Sequence, residues 1–475
     1  MFATLKLFFM PLIKSISGIR GTIGGKPGDT LSPLDIVKFT AAYGTWISEQ
    51  SSNNGIPAHK KIVVGRDGRI SGEMVQGIVV DTLKAMGIDV VDVGLSTTPT
   101  VEMAVKFENA NGGIILTASH NPREWNALKL LNEKGEFISA ADGAKMLEIA
   151  AADNYSFATV DNLGRCTKAE TALQQHIDAI LKYPLVNVEA IKERNFKIVV
   201  DAINSSGAFA VPELLMALGV REENIIVLND AITGNFAHNP EPLPEHLTAL
   251  SNEVNSKKAD FGIAVDPDLD RLCFVCEDGS MFGEEFTLVA VADYILQHRK
   301  GNTVSNMSST RALRDVTEKH GGTYSASAVG EVNVVNKMKA VNAVIGGEGN
   351  GGIIVPDLHY GRDALIGIAL FLTYLTQKKS IKQLRREYPD YFISKNKIEL
   401  APGVDLKKVF SDIKLKYKNN PINEEDGLKI EFDKDWVHLR PSNTEPIIRI
   451  YAESTFETTA DNIAKKIMSD IKEHM

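Results

Sequence analysis

The sequence predicts an α/β protein, with three related α/β mixed-sheet domains and a smaller C-terminal α+β domain around a central cleft. Strand-like runs alternate with helical stretches through most of the chain, which is typical of largely parallel sheets. The tetrapeptide Lys-Ile-Val-Val occurs at residues 61–64 and again at 197–200, each time opening the same order of elements. A chain of 475 residues also exceeds what one hydrophobic core usually supports. We place the four domains at residues 10–165, 166–280, 281–390 and 391–475.

The first copy of the repeat starts with a strand at residues 61–64 and a helix that ends near Gly87. A strand at 89–93, a helix near 100–107 and a strand at 113–116 follow. The last strand leads into the loop Thr-Ala-Ser-His-Asn-Pro at residues 117–122. Because ligands of α/β units gather at the carboxyl ends of strands, this loop is a candidate functional segment.

The second copy runs from residue 197 through a helix ending near Gly219 and a strand at 224–228. Its last strand, at 261–265, leads into Asp-Pro-Asp-Leu-Asp-Arg at 266–271. A looser third copy, from residue 303 to 345, leads into Gly-Gly-Glu-Gly-Asn-Gly-Gly at 346–352. Three loops after three comparable strands predict three related domains facing one cleft.

Beyond about Tyr391 the pattern changes to short strands, a Pro- and Asn-rich stretch at 419–426 and a closing helix. This region carries one unusual loop, Arg-Pro-Ser-Asn-Thr-Glu-Pro at residues 440–446. Its cation, hydroxyls, amide and backbone N–H groups are suited to hold a phosphate, although an ordinary serine-rich turn has a similar composition.

Composition excludes several functions. The net charge of −9 argues against nucleic-acid binding and against binding to anionic membranes, since both require a basic surface. Three cysteines cannot form a disulfide framework, and Cys273 and Cys276 have the surroundings of strand residues rather than of a zinc or redox motif. The apolar stretch at 1–12 is too short to span a bilayer. We therefore expect a cytoplasmic protein, with the start at Met1 or Met10 left open.

Three aspartates, Asp266, Asp268 and Asp270, form a candidate magnesium site. On an extended segment, residues two apart point to the same side, so the three carboxylates can converge. Converging carboxylates require a cation, and hard oxygen ligands suit magnesium. A solvated acidic turn remains an alternative, whereas a calcium loop of the EF-hand type fails because Arg271 replaces the required glycine.

Ser119 and His120 lie side by side in the first of the candidate loops. A serine hydroxyl needs a base, a metal or an attached phosphate to take part in catalysis, and Ser-His in a polar turn is often structural. No G-x-S-x-G motif surrounds any serine, which disfavours a serine hydrolase. Arg20, in Ser-Gly-Ile-Arg-Gly at 17–21, and Lys129 are candidate phosphate-binding cations.

Together these loops resemble the α-D-phosphohexomutase family, which includes phosphoglucomutases, phosphomannomutases and phosphoglucosamine mutases. The loops at 17–21, 117–122, 266–271, 347–348 and 440–446 occur in the order of that family, and the resemblance begins near Leu12. It implies an intramolecular phosphotransferase that interconverts hexose 6-phosphate and hexose 1-phosphate. It also implies Mg²⁺ as cofactor, hexose 1,6-bisphosphate as activator and a monomer or homodimer.

The resemblance assigns a role to each matching position. Ser119 matches the phosphorylated serine, which is also a magnesium ligand together with the three aspartates. Catalytic roles extend to His120, Lys129 and Arg20. The substrate-binding positions are Arg271, Glu348, Asn350, Arg440, Ser442, Asn443 and Thr444.

The sugar loop departs from the common family pattern. Asn350 replaces a serine and Gly352 replaces a histidine, so the general acid/base is left open among His120, Lys129 and His359. The Thr-Ala-Ser-His-Asn-Pro form of the serine loop, with Ala118, resembles that of phosphoglucosamine mutases, which implies glucosamine phosphate as the substrate. A dual phosphoglucomutase/phosphomannomutase, a phosphatase and a non-catalytic sugar-phosphate sensor remain as alternatives.

Overall fold

The computed structural model describes residues 12–15, 18–53, 60–401, 404–442 and 447–473. The chain forms two compact units. The first comprises Met1–Glu284 and Gly352–Ser380, and the second comprises Glu285–Gly351 and Ile381–Met475.

A seven-stranded sheet opens the first unit, with the strand order β1-β2-β6-β5-β3-β4-β7. Its strands are β1 (Ile13–Ser15), β2 (Gly18–Thr22), β3 (Lys61–Arg66), β4 (Asp89–Leu95), β5 (Gly112–Leu116), β6 (Trp125–Leu131) and β7 (Cys166–Lys168). Its helices are α1 (Pro33–Asn53), α2 (Gly72–Ala85), α3 (Thr98–Phe107) and α4 (Ala140–Ala151). The central strands are Val- and Ile-rich and buried, because helices cover the sheet on both faces.

A four-stranded sheet follows in the same unit, in the order β11-β10-β8-β9. Its strands are β8 (Ile198–Asp201), β9 (Ile225–Leu228), β10 (Phe261–Val265) and β11 (Leu272–Cys276). Its helices are α5 (Ala172–Leu181), α6 (Val188–Arg194), α7 (Gly207–Ala217) and α8 (Thr248–Lys257). Cys273 and Cys276 are buried free thiols in β11, as the sequence predicts.

The third α/β region contains the parallel strands β12 (Asn302–Asn306), β13 (Tyr324–Ser327) and β14 (Ala343–Glu348). Its helices are α9 (Glu284–His298), α10 (Ala312–Lys319) and α11 (Glu331–Val341). The next two elements, β15 (Gly352–Ile354) and α12 (Ala364–Leu375), belong to the first unit. Asp363 begins α12 by accepting hydrogen bonds from the backbone of Leu365 and Ile366.

The C-terminal region of the second unit is an antiparallel five-stranded sheet in the order β16-β20-β19-β18-β17. Its strands are β16 (Phe392–Glu399), β17 (Ile422–Asn423), β18 (Leu428–Glu431), β19 (Trp436–Pro441) and β20 (Ile447–Ser454). The helices of this part are α13 (Ile381–Arg385), α14 (Leu406–Lys416) and α15 (Glu457–Glu473). The last two cover an apolar core on the sheet.

The same topology occurs three times. In each α/β region the first strand of the repeat lies between the second and the third, and all three run parallel, as in β4-β3-β5, β9-β8-β10 and β13-β12-β14. This confirms the predicted fold class, three α/β mixed-sheet domains and a smaller α+β domain. The residue boundaries given to the domains stay a prediction. Among the described helices, none combines the length and the apolar composition that crossing a bilayer requires.

Candidate active site

Ser119 lies in the loop that follows β5, and its backbone is left-handed with φ +49°. The backbone N–H of Ser119 donates to Thr117 Oγ1 at 2.9 Å, and the N–H of Asn121 donates to the Ala118 carbonyl. A left-handed conformation costs a non-glycine residue about 1–2 kcal/mol, so surrounding contacts must hold it.

Arg69, in the loop after β3, supplies those contacts. Its guanidinium donates to the carbonyls of Ser119, Pro122 and Asn121. Asp67 in turn accepts from Arg69 Nε at 3.1 Å and from Thr117 Oγ1 at 2.7 Å. Arg69 and Asp67 are both almost completely buried, so this ion pair fixes the serine loop from the protein interior.

The aspartate loop follows β10. One carboxylate oxygen from each of Asp266, Asp268 and Asp270 lies within 4.8 Å of the others, and all three side chains are buried. The predicted reason for their convergence, an extended segment, is wrong. The segment is a turn, in which Leu269 is left-handed with φ +60° and the N–H groups of Asp270 and Arg271 both donate to Asp266 Oδ1 at 3.1 Å.

The serine and aspartate loops meet. Ser119 Oγ donates to Asp266 Oδ2 at 2.7 Å, although 147 positions separate the two residues in the chain. On the other side of the loop, Thr98 at the start of α3 donates through Oγ1 to Asp268 Oδ2 at 2.6 Å. The three carboxylates are thus held between the first and second sheets of the first unit.

The aspartates fit a divalent cation. Asp268 Oδ1 and Asp270 Oδ1 are buried, and neither accepts a hydrogen bond within the part of the chain that the structure describes. Burial, together with the charges of Asp270 and Asp268, raises the pKa of Asp266 well above its usual value. Buried polar atoms normally have partners, and a magnesium ion bound by these oxygens would supply one.

Three further cations surround the carboxylates. Lys129 Nζ donates to Asp268 at 2.7 Å and to Asp270 at 3.2 Å, and Arg362 donates to Asp270 at 2.6 Å. Although burial opposes it, these carboxylates raise the pKa of Lys129 above its usual value. Arg20 on β2 is within electrostatic range of Asp270. The acidic protein therefore has the local concentration of cations that an anionic substrate requires.

His120 lies between the serine and Arg271. Its Nδ1 is 3.4 Å from Ser119 Oγ, and its Nε2 is 3.5 Å from the Arg271 guanidinium. Burial, with the nearby charge of Arg271, lowers the pKa of His120 well below its usual value, so the ring is neutral. Arg271 is itself held by Glu241 at 2.8 Å.

His359, the remaining acid/base candidate, has different partners. Its Nε2 is 3.2 Å from Asp363, and its Nδ1 is 3.3 Å from Glu102. Although burial opposes protonation, hydrogen bonds to these carboxylates raise the pKa of His359 to about 9. In the absence of a bound metal, a proton therefore stays on His359 at neutral pH.

The second unit carries the sugar-loop and phosphate-loop residues. Glu348 ends β14, and its Oε1 accepts from the Asn306 amide at 2.8 Å and from the Gly330 N–H at 3.0 Å. Asn350 follows in the turn after β14 and is half-buried. The Gly349 N–H donates to Ser309 Oγ at 2.9 Å, which anchors this turn to the loop after β12.

Arg440 lies at the end of β19, where its Nε is 2.9 Å from Asp426 Oδ2. Ser442 begins the loop and donates its N–H to the Ile447 carbonyl at 2.9 Å. Asn443 and Thr444 lie outside the described residues. Asp426 also accepts from the Val329 N–H at 2.9 Å, so one carboxylate connects Arg440 to the loop after β13.

Several residues that build these sites carry no signal in the sequence. Arg69, Asp67, Thr98 and Arg362 belong to segments without a recognisable motif, and their partners are distant in the chain. Asp426 stands at the end of the Pro- and Asn-rich stretch at 419–426, where nothing in the sequence marks it as a partner of Arg440. The one usable signal is at Asp363, the neighbour of Arg362, because an aspartate before an apolar helix is a typical N-cap.

Ser119 is hydrogen-bonded to one of three convergent carboxylates, is surrounded by cations and lies on repeated α/β sheets. This arrangement is typical of the class of enzymes that transfer phosphoryl groups with a divalent metal. Comparisons with known proteins specify the family. Sequence profiles described as phosphoglucomutase/phosphomannomutase α/β/α domains I, II and III match residues 12–156, 174–279 and 284–391. The profile of the C-terminal domain of that family matches residues 395–469.

Full-length relatives agree with the profiles. The chain is 34% identical to a phosphoglucomutase/phosphomannomutase of Thermococcus kodakarensis, over 93% of this chain and 95% of the relative. It is 31% identical to a probable phosphoglucosamine mutase of Methanopyrus kandleri, over 96% of this chain and 97% of the relative. It is 30% identical to a phosphoglucosamine/phosphogalactosamine mutase of Sulfurisphaera tokodaii, over 95% of this chain and 97% of the relative.

A crystal structure of a phosphoglucomutase/phosphomannomutase family protein from Burkholderia thailandensis superposes with a TM-score of 0.83 at 26% identity, covering 97% of this chain and 98% of that one. The chain therefore belongs to the phosphoglucomutase/phosphomannomutase family of α-D-phosphohexomutases. It is an intramolecular phosphotransferase whose substrate is a phosphorylated hexose. The family is in general magnesium-dependent, and the three aspartates can hold the ion.

Proposed function

We propose that the enzyme interconverts hexose 6-phosphate and hexose 1-phosphate through a phosphorylated Ser119, with glucosamine phosphate as its preferred substrate. The observation that supports this most directly is the hydrogen bond from Ser119 Oγ to Asp266 inside a cluster of carboxylates and cations. A nucleophilic role for serine requires this kind of surrounding charge.

The reaction has two phosphoryl transfers. In the first, the phosphoryl group on Ser119 Oγ passes to the free hydroxyl of the bound monophosphate, which gives a hexose 1,6-bisphosphate. After the bisphosphate turns end for end, its other phosphoryl group returns to Ser119 and leaves the isomeric monophosphate. Free hexose 1,6-bisphosphate activates the enzyme because it phosphorylates Ser119 directly.

Magnesium held by Asp266, Asp268, Asp270 and a phosphoserine oxygen would neutralise charge on the transferring group. Lys129 and Arg20 contribute fixed positive charge to the same group. The pKa of Lys129 is raised, so this residue stays protonated and does not accept the proton of the sugar hydroxyl. We assign acceptance of this proton to His120, which is neutral and whose Nδ1 lies 3.4 Å from Ser119 Oγ.

We assign recognition of the sugar and of the non-reacting phosphate to the second unit. Glu348 has two acceptor oxygens and is held by Asn306, so it can bind adjacent sugar hydroxyls in either substrate orientation. Arg440, Ser442, Asn443 and Thr444 bind the phosphate that does not react, and Asn350 and Arg271 complete the substrate contacts. Because Gly352 adds no side chain to the sugar loop, we expect discrimination among hexoses of at most about 3 kcal/mol.

The test measures turnover of glucosamine, glucose and mannose 6-phosphates with Mg²⁺ and the matching 1,6-bisphosphate, following products by phosphorus NMR. The proposal predicts the 1-phosphate in each case, with the highest kcat/KM for the glucosamine compound. Glu348→Ala should lower kcat/KM for all three substrates. Gly352→His should change the ratios between the three kcat/KM values more than it changes their sum. Inorganic phosphate as the main product would identify a phosphatase, and no turnover together with binding would identify a sensor.

A dual phosphoglucomutase/phosphomannomutase is the second candidate. The relative from Thermococcus kodakarensis carries that name at 34% identity. The same assay separates the candidates, because a dual enzyme would turn over glucose and mannose phosphates with the higher kcat/KM.

A further inference from the structure

A second buried cluster of potential metal ligands lies in the first unit. His176 is on α5, His359 precedes α12, and Asp363 begins α12. One ligand atom from each lies within 4.8 Å of the other two, and all three side chains are buried. None of them belongs to the serine or aspartate loop.

The ligand atoms converge closely. Nε2 of His176 is 3.0 Å from Asp363 Oδ2, and Nε2 of His359 is 3.2 Å from the same oxygen. In a tetrahedral zinc site with bonds of about 2.0–2.1 Å, neighbouring ligand atoms lie about 3.3 Å apart. Asp363 Oδ1 accepts from the N–H groups at the start of α12, which leaves Oδ2 facing both imidazoles.

The outer nitrogen of each imidazole also faces a polar oxygen. Nδ1 of His359 is 3.3 Å from Glu102 Oε2, and Nδ1 of His176 is 3.0 Å from Thr100 Oγ1. A histidine that binds a metal usually donates its other ring N–H to such an acceptor, which fixes the tautomer and the ring orientation. Thr100 and Glu102 are both on α3, so one helix orients the two rings.

The charges in the cluster favour a dication. Glu102 and Asp363 are almost fully buried carboxylates on either side of His359, and a buried carboxylate is stabilised by a nearby cation. A divalent ion would neutralise both, whereas a single imidazolium neutralises one. His359 also borders a pocket of about 450 Å³, which Lys106, Glu136 and Tyr360 line as well.

We propose that His176 Nε2, His359 Nε2 and Asp363 Oδ2 bind a zinc ion, at a site separate from the magnesium site of the aspartate loop. Imidazole nitrogen and carboxylate oxygen are common zinc ligands, and a water can complete a tetrahedron. The ion has a structural role, since it connects α3, α5 and the start of α12. Two residues next to this site donate hydrogen bonds to the aspartate loop. Thr98 donates to Asp268, and Arg362 donates to Asp270.

The test starts with the full-length wild-type protein. One equivalent of zinc is added in a large excess of magnesium, unbound metal is removed by gel filtration, and bound metal is measured by mass spectrometry. The proposal predicts one retained zinc per chain and a zinc X-ray absorption spectrum with two imidazole ligands. A protein that retains no zinc, with His359 instead protonated between its carboxylates, would overturn it.

Variants locate the ion. His176→Gln and His359→Gln should each weaken zinc binding by at least about tenfold. His238→Gln is the matched control, because His238 Nε2 also bonds to a buried carboxylate, Asp201 at 2.9 Å, but its Nδ1 faces the Asn239 carbonyl. Equal zinc retention by His238→Gln and by folded His359→Gln would contradict the assignment. If neither cluster variant folds, the wild-type X-ray absorption spectrum tests the assignment by itself. Two imidazole ligands would support the proposed site, and any other number would contradict it.

Asp268→Asn separates this inference from the proposed function. The substitution alters the magnesium site and should leave the zinc content at one per chain. Loss of zinc in this variant would mean that the aspartate loop had bound it, and the proposed second site would be wrong.

Discussion

At the scale of single residues, Ser119 combines a left-handed backbone with a side-chain hydrogen bond to a distant aspartate. Sequence alone indicated the serine, because it stands in a characteristic loop. It could not indicate Arg69 or Arg362, because both cations lie in segments without a motif and bond to the serine and aspartate loops from 50 or more positions away. Residues that act through long-range contacts are found only once the fold is known.

Asp268→Asn should reduce turnover much more than substrate affinity. Asp268 accepts from Thr98 and Lys129, and we assign it to the metal that acts on the transferring charge. The measurement is kcat and KM over a range of magnesium concentrations, with activity of the wild type abolished by chelation and restored by magnesium. Wild-type turnover that is undiminished in metal-free buffer would refute the magnesium assignment.

Arg440→Ala should weaken binding of the 1-phosphate and of the 6-phosphate to a similar extent, by about 2 kcal/mol each, because one loop binds the substrate in both orientations. Arg440→Lys is the control, since it keeps the charge and loses the planar guanidinium. The measurement is KM for each monophosphate, taken in the forward and reverse directions. A large loss for only one of the two would show that the loop does not serve both orientations.

At the scale of elements, the three repeats could be predicted because their strands are short Val- and Ile-rich runs followed by polar loops. The conformation of the aspartate loop could not be predicted in the same way. The sequence predicts correctly that the three aspartates lie together, but it attributes this to alternation along an extended segment. The carboxylates instead converge through a turn, in which Asp266 accepts hydrogen bonds from the following N–H groups.

Arg69→Met should destabilise the serine loop and the first sheet, because it leaves Asp67 buried without its cation and four carbonyl contacts unmade. Breaking a buried ion pair typically costs about 3–5 kcal/mol. Arg221→Met is the control, since the Arg221–Glu223 pair is exposed and such pairs contribute about 1 kcal/mol or less. Chemical denaturation of both variants checks the difference, and similar losses would show that Arg69 does not anchor the loop.

His438 on β19 should make the second unit sensitive to acid. Burial lowers the pKa of His438 to about 4, while its Nε2 bonds to the Asp426 carbonyl and its Nδ1 to Ser308. An unfolded histidine titrates near pH ~6.5, so between these values the unfolded state binds more protons. The free energy of unfolding should therefore fall as the pH is lowered through this interval, by up to about 3 kcal/mol.

His438→Gln tests this origin of the acid sensitivity, because glutamine can keep both hydrogen bonds and does not titrate. The variant should lose stability less steeply than the wild type between pH 6.5 and 4. Unfolding curves at several pH values give the comparison, and identical pH dependence in the two proteins would assign the effect to other groups.

At the scale of the whole molecule, the sequence was sufficient to predict the fold class and the family. Both follow from order along the chain: three repeats, then a different C-terminal region, with the characteristic loops in sequence. The preferred hexose does not follow from that order, because relatives at 30–34% identity are named for different sugars.

The most direct test of the central claim is transfer of labelled phosphate through Ser119. Enzyme incubated with substrate carrying ³²P is digested and the peptide containing residues 117–122 is isolated. The label should be on Ser119, and it should leave on addition of unlabelled monophosphate at a rate no slower than turnover. Ser119→Ala should carry no label and show no mutase activity. If Ser119→Ala kept full turnover, or if the label left only as inorganic phosphate, the proposed phosphoserine mutase mechanism would be contradicted.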